Sequence, residues 1–274
     1  MSGSSTKAAR RYTRGASPEE RDELVVIEEP LEIRIAGDTF AVTMRTPGHD
    51  QELAVGLLFS EGIVAARDDL GAVAHCGRPG DEGYGNTIEV TAGAGARLDL
   101  DRALAGRRGT LTTAACGVCG RRAIDDLISR VKPLDDGGRF STSILTELTD
   151  RLRERQPLFA KTGGLHAAGA ANERGELIVV REDVGRHNAV DKVVGRLLLD
   201  ERLPATGQAL VVSGRVSFEI IQKAVAAGFG AVVAVSAPTS LAIETAERTG
   251  LLLAGFSRGG AMNVYAGSKR LSDA

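Results

Sequence analysis

The chain has 274 residues, of which 43% are hydrophobic and 26% charged, with a formal net charge of -2 at pH 7. That balance describes a globular protein large enough for two modest domains, and it supplies no bulk attraction to nucleic acid or to an anionic membrane. Three cysteines, Cys76, Cys116 and Cys119, are too few and odd in number for the disulfide framework of a small secreted fold.

Met1 to Gly15 carries Lys7, Arg10, Arg11 and Arg14 without an acid and lacks the apolar stretch of a secretory signal. Residues 1–20 therefore read as a disordered basic tail, and the protein as cytoplasmic. No apolar run reaches the length of a membrane span. Residues 21–106 read as a smaller, β-rich, mixed domain. In it Leu31, Ile33 and Ile35 alternate with polar residues, Gly37-Asp38 turns the chain, and Phe40 to Met44 resumes a strand. Asp50-Gln51-Glu52 then opens a helix carrying Leu53, Val55, Leu57 and Leu58, which ends at Gly62. Gly71 to Leu98 gives short β-like stretches between glycine-rich turns.

Residues 107–140 change character, to a threonine- and glycine-rich mobile loop containing Cys116-Gly117-Val118-Cys119 and then a helix with Ala123, Ile124, Leu127, Ile128 and Val131 on one face. A helix N-terminus and the adjacent Arg121 and Arg122 favour thiolate over thiol, which suits Cys116 and Cys119 to accept a sulfane sulfur. Three other uses of the pair stay open at this point: a zinc site with Cys76 or His75, a thioredoxin-like dithiol, and a structural role as small buried residues. The zinc-deaminase signature itself, with its Pro-Cys and His-x-Glu elements, is missing, so no metal ligand set is assigned.

Over 141–274, four apolar runs alternate with helical faces: Leu177 to Val180, Ala209 to Val212, Ala231 to Val235 and Leu251 to Ala254. They predict a mostly parallel sheet flanked by helices, so the chain is α/β, or α+β overall. Such a sheet binds ligands beyond the carboxyl ends of its strands. The residues there are Arg186 and His187, then Ser213, Gly214 and Arg215, then Ser236 and Thr239, and finally Phe256, Ser257, Arg258, Gly259 and Gly260. Arginine beside glycine or serine at several strand ends suits a phosphorylated ligand, although no P-loop or dinucleotide fingerprint is present. His166 and His187 are candidates for proton transfer or ligand contact, and equally for a hydrogen-bonded structural role.

Ala115 to Gly120, Gly164-Leu165-His166-Ala167-Ala168, Arg181 to Lys192, Ser213-Gly214-Arg215, Ser236 to Ser240 and Gly255-Phe256 together resemble the FdhD family of formate dehydrogenase accessory sulfurtransferases. The resemblance implies a sulfur carrier that takes sulfur from a cysteine desulfurase as a persulfide. It implies delivery to the Mo-bis(molybdopterin guanine dinucleotide) cofactor, held as a bound substrate, before insertion into formate dehydrogenase, with GDP as a mimic of that ligand. It also implies a homodimer and a cytidine-deaminase-like C-terminal region. Residue by residue, Cys116 takes the persulfide, Cys119 assists, and Phe256-Ser257-Arg258-Gly259-Gly260-Ala261 is the cofactor-binding segment. The rival reading is a nonenzymatic chaperone that binds the cofactor and needs no thiol.

Overall fold

The computed structural model describes residues 3–78, 80–81, 84–94, 96, 98, 132–134 and 138–272. The expected disordered tail is instead a strand. β1 (Ser4–Arg11) pairs antiparallel with β2 (Glu19–Val26) in a separate two-stranded ribbon. The bases of β1 have acids opposite them: Lys7 faces Glu23, Arg11 faces Glu19, and Arg10 reaches Glu20 at 2.6 Å. Cross-strand complementarity, which a reading of the basic half alone misses, accounts for the correction.

A four-stranded sheet follows, ordered β4-β3-β6-β5, from β3 (Glu29–Ile35), β4 (Asp38–Arg45), β5 (Leu70–His75) and β6 (Thr87–Ala92). Its β3–β4 turn is set by Ala36 and Gly37, both at positive φ. Leu31, Ile33, Ile35, Ile88 and Val90 on the inner face pack against Leu53, Ala54 and Leu58 of α1 (Asp50–Ser60).

The second sheet has six strands, β12-β11-β10-β9-β7-β8. These are β7 (His166–Ala171), β8 (Leu177–Asp183), β9 (Ala209–Val212), β10 (Ala231–Ala234), β11 (Leu252–Arg258) and β12 (Ala261–Ala266). The expectation of a mostly parallel sheet needs correction. Only β9, β10 and β11 pair in parallel, while β7 runs antiparallel to both β8 and β9, and β12 antiparallel to β11. The cause is two tight hairpins: Asn172 closes on Glu176 between β7 and β8, and Gly259-Gly260 turns β11 into β12. Because β7 is flanked by antiparallel neighbours on both sides, β8 nonetheless points the same way as β9, β10 and β11. Four strand ends therefore share one edge of the sheet.

One face of this sheet is covered by α2 (Thr142–Glu154), whose Leu145, Leu148 and Leu152 meet Ala167, Val211, Val233 and Ala254. The other is covered by α4 (Arg186–Leu199), α5 (Phe218–Ala226) and α6 (Ser240–Thr249). α3 (Pro157–Thr162) is a short turn of helix after α2, its first amides held by the Glu182 carboxylate. α6 is stopped at Gly250 with φ 70°, the left-handed cap that glycine tolerates. No helix of the described residues is long and apolar enough to cross a membrane.

The two larger sheets are joined where α1 crosses α4. A Cβ on Gly56 would overlap the Asp191 carbonyl, and one on Gly195 would overlap the Glu52 carbonyl, so the two helix backbones touch. Around the crossing lie buried ion pairs. Arg181 on β8 grips Glu52 with two hydrogen bonds at 2.5 and 2.8 Å, Lys192 meets Asp183 at 2.7 Å, and Lys223 meets Asp191 at 2.6 Å. Burial alone would raise the Glu52 carboxyl, but hydrogen bonds from Arg181 and His49 outweigh it and hold it down at about 2.

Two outcomes follow from this junction. Gly195→Ala in an isolated helix would gain ~1 kcal/mol of propensity. Here it forces backbone apart, so urea unfolding of the full chain should show a loss of about 3 kcal/mol; a neutral or stabilising result would refute the crossing. Glu52 stabilises the fold above its unfolded value near 4.5 and loses that contribution as pH falls toward 2. Glu52→Gln should therefore flatten the acid limb of the stability profile between those values, removing ~3 kcal/mol of pH dependence; an unchanged limb would show that Glu52 is not its source.

Candidate functional site

The shared strand edge carries a cavity of about 590 Å³. Its lining joins the ends of β9, β10 and β11, at Ser213, Val235, Ser257 and Arg258, to Gly164, Leu165 and His166 before and at the start of β7. The opposite wall is α2 and the α2–α3 junction, with Thr149, Asp150, Arg153, Gln156 and Phe159. The volume and the mixture of apolar wall with a few polar groups are those of a small-molecule site.

Of the strand-end residues expected to bind a cofactor, Ser213, Ser257 and Arg258 line this cavity. Ser213 locks β9 to β7, its Oγ accepting from the Ala167 amide at 2.9 Å. Ser257 is buried, and its carbonyl accepts from the Thr149 hydroxyl at 2.8 Å, which ties α2 to the sheet. Arg258 is exposed at the cavity wall. Gly259 and Gly260, at φ 57° and 77°, form the hairpin turn that brings Arg258 opposite Ala261.

The remaining expected residues surround the cavity without lining it. Arg186 and His187 occupy the first turn of α4. The Arg186 Nε is buried without a hydrogen-bond partner among the described residues, while His187 Nε2 lies 2.9 Å from Glu219 Oε2 and 3.1 Å from the Ser217 hydroxyl. That hydrogen bond holds the Glu219 carboxyl below its ordinary range. Gly214 packs against His166 and Arg186, where an added Cβ would stand 3.2 Å from His166 Nδ1 and 3.5 Å from Arg186 Cδ, and Arg215 follows it in the chain. The Ser236 carbonyl accepts from Phe256 N at 3.2 Å. The Thr239 hydroxyl caps α6 by accepting from Ala242 N at 3.3 Å, so it is committed to the fold. Phe256 is 42% exposed and sits at φ 52°. A left-handed phenylalanine on the rim is a strained position of the kind that clusters at ligand sites.

His166 is the titratable group that the arrangement perturbs most informatively. Burial lowers its affinity for a proton, and the nearby Arg186, His187 and Arg215 lower it further. The imidazole is therefore neutral at pH 7, able to accept or donate one hydrogen bond. His75 and His49 do not share its setting: His75 pairs with Asp50 at 3.4 Å and lies beside Tyr84, and His49 pairs with Glu52 at 3.5 Å. Cys76 is a half-buried free thiol. Cys116 and Cys119, together with the loop and helix expected around them, lie outside the described residues.

Sequence reasoning missed the α2–α3 wall altogether. Gln156 follows Leu145, Leu148 and Leu152 at spacings of one helical turn, so a polar side chain interrupts an apolar stripe. That interruption was the available signal.

The long motif from Arg181 to Lys192 proves to be chiefly a junction. Its members hold α1 (Arg181), α3 (Glu182), the β8–α4 turn (Asp183, Asn188) and α5 (Asp191), and only Val184 lines the cavity. The arrangement defines an α/β protein with a cavity at its strand ends, lined by two arginines, Arg153 and Arg258, and one carboxylate, Asp150.

Comparison with known proteins gives that class a family. The FdhD/NarQ family matches residues 26–272. The sulfur carrier protein FdhD of Anaeromyxobacter dehalogenans strain 2CP-1 is 53% identical over 253 residues, covering 90% of this chain and 88% of the relative. That of Streptomyces coelicolor is 48% identical over 257 residues, covering 92% and 90%. A crystal structure of a candidate formate dehydrogenase accessory protein from Desulfotalea psychrophila superposes with a TM-score of 0.75 at 25% identity, covering 98% of this chain and 99% of that one. The chain belongs to the FdhD/NarQ family.

The neutral state of His166 is checked by NMR titration of its ring protons. The expected midpoint lies below the ordinary 6.5, and the unfolded chain binds the proton more readily, so this group weakens the fold as pH falls through that region. A midpoint above 6.5 would contradict the cationic setting.

Proposed function

We propose that this protein is a sulfur carrier for formate dehydrogenase maturation, which takes sulfur from a cysteine desulfurase and delivers it to the Mo-bis(molybdopterin guanine dinucleotide) cofactor before the cofactor enters the apoenzyme. Relatives about half identical to it that are named sulfur carrier proteins support the carrier role. The single observation that carries the ligand side of the reading is the cavity at the strand ends, with Arg258 and Arg153 at its wall and Arg186 and Arg215 close behind His166. Guanidinium groups and a glycine turn suit the phosphates of a dinucleotide.

In the carrier step, the Cys116 thiolate attacks the terminal sulfur of the donor's persulfide. The donor's sulfur–sulfur bond breaks, the donor cysteine leaves as thiolate, and Cys116 retains the persulfide. The Cys119 thiolate then attacks the inner sulfur of the Cys116 persulfide: the Cys116–Cys119 disulfide forms, the sulfur–sulfur bond of the persulfide breaks, and the terminal sulfur, reduced by the two electrons the thiol pair gives up, leaves as sulfide for the cofactor. Arg258 and its neighbours hold the cofactor's phosphates meanwhile, and the neutral imidazole of His166 orients a polar group of the ligand. The protein acts in the cytoplasm as a homodimer in this reading. The cofactor is cargo here, and the cavity exists to hold it while sulfur arrives.

Intact-mass analysis tests the carrier step. After incubation with desulfurase and cysteine, the wild type should gain one sulfur atom that a reducing agent removes, and Cys116→Ala should gain none while retaining GDP binding. A wild type that gains no sulfur would refute the carrier step, and complementation of formate dehydrogenase activity by a Cys116→Ala, Cys119→Ala double variant would favour a chaperone that needs no thiol.

A further inference from the structure

The ribbon of β1 and β2 leaves the body of the protein as an arm. Its base is seated: Ile27 N donates to the Gly3 carbonyl at 2.9 Å, and a Cβ on Gly3 would overlap Leu158 Cδ2 of α3 and stand 3.2 Å from Thr46 Cγ2. Beyond the base the arm is left to solvent. From Thr6 to Asp22 every residue except Ala9 is exposed, and a two-stranded ribbon on its own is marginal in water. An ordered arm of this kind calls for a partner.

The described residues expose four large hydrophobic side chains, and three of them bear on the arm. Tyr12, 73% exposed, stands at its tip, in the turn between β1 and β2. Val42 and Met44, 56% and 47% exposed, lie on β4, an edge strand of the four-stranded sheet. They share the side turned away from α1, because Ala41 and Thr43 are the residues paired with the inward Ile33 and Leu31. Met44 is two residues before Thr46, so this patch borders the arm's base. Tip and base are eight paired positions apart, about 26 Å at ~3.3 Å per residue, so Tyr12 cannot reach the patch of its own chain.

Two arms laid antiparallel about a two-fold axis put the tip of each on the base of the other. We propose that the arm clasps a second copy of this chain, with Tyr12 of one copy seated on the Val42–Met44 patch of the other. The charges suit such a contact. Between Ser4 and Val26 the arm carries five bases and four acids, with three of the bases on β1 and all four acids on β2. A surface bearing both signs can be its own complement, as a two-fold contact requires, whereas a nucleic acid or an anionic membrane would meet the acids of β2. Each dimer holds two such clasps, and tyrosine is a residue type that anchors interfaces. The inference rests on the proposed homodimer, whose contact surface it names, and is independent of the sulfur and cofactor chemistry.

Cysteine crosslinking of the full chain tests the geometry. In a chain whose three native cysteines are replaced by serine, Tyr12→Cys combined with Met44→Cys should give a covalent dimer on mild oxidation, and either substitution alone far less. A disulfide needs Cα atoms within about 7 Å, so the length of the arm excludes a bond within one chain. Sedimentation velocity on the chain with its native cysteines tests the energetics. Tyr12→Ser, and separately Val42→Ser with Met44→Ser, should raise the dimer dissociation constant roughly thirtyfold or more, the loss of an interface anchor. All three side chains are exposed, and circular dichroism should show the variants folded.

A wild-type dimer that neither variant weakens, with no crosslink in the paired variant, would overturn the inference while leaving a homodimer built on another surface. Tyr12→Cys alone crosslinking as fully as the pair would place tip on tip and overturn it as well. A wild type that sediments as a monomer at every concentration would overturn both the clasp and the homodimer it rests on.

Discussion

The contact between the backbones of α1 and α4 is the constraint from which the rest of the structure follows. Gly56 and Gly195 allow the two helices to touch, and at that distance the Glu52 and Asp191 carbonyls occupy the space a methyl group would need. The four-stranded sheet rides on α1 and the six-stranded sheet on α4, so one close crossing fixes the N-terminal part of the chain against the C-terminal part. α4 also begins at the cavity's edge with Arg186 and His187. A shift at Gly195 would thus be felt at the site, about two and a half helical turns away.

Charges buried at the crossing turn that contact into a defined arrangement. Arg45 is fully buried and bonds Asp50 through two nitrogens at 3.1 and 3.2 Å and the Gly85 carbonyl at 2.8 Å. Asp183 gathers the amides of Gly185 and Thr46 and the side chains of Asn188 and Lys192. Buried ions of this kind are costly to separate from their partners, because removing one leaves an uncompensated buried charge. Arg258, Arg153 and Phe256, by contrast, are exposed.

How far the sequence discloses this arrangement depends on whether a residue's role is local. The β3–β4 hairpin, α1, the three parallel strands and the Gly250 cap are legible because alternation, helical spacing and turn chemistry act over a few residues. β7 is not legible: His-Ala-Ala-Gly-Ala-Ala has no β-branched residue, and its smallness answers a packing demand from both faces, with Ala167 and Ala171 under α2 and Ala168 and Ala170 under α4. The ribbon of β1 and β2 escaped because its bases and acids are separated in the chain and meet only on pairing. At the site, Ser213, Ser257 and Arg258 follow from the rule that ligands bind at strand ends. Gln156 does not, because its wall belongs to a helix that reaches the edge only through tertiary packing.

The central claim is that the cavity between α2 and the ends of β9, β10 and β11 receives a guanine-nucleotide portion of the cargo. A crystal structure of the full chain with GDP tests it most directly. The expected result is nucleotide density inside that cavity, with the phosphates within reach of Arg258. Density elsewhere on the molecule, with the cavity left to water, would contradict it.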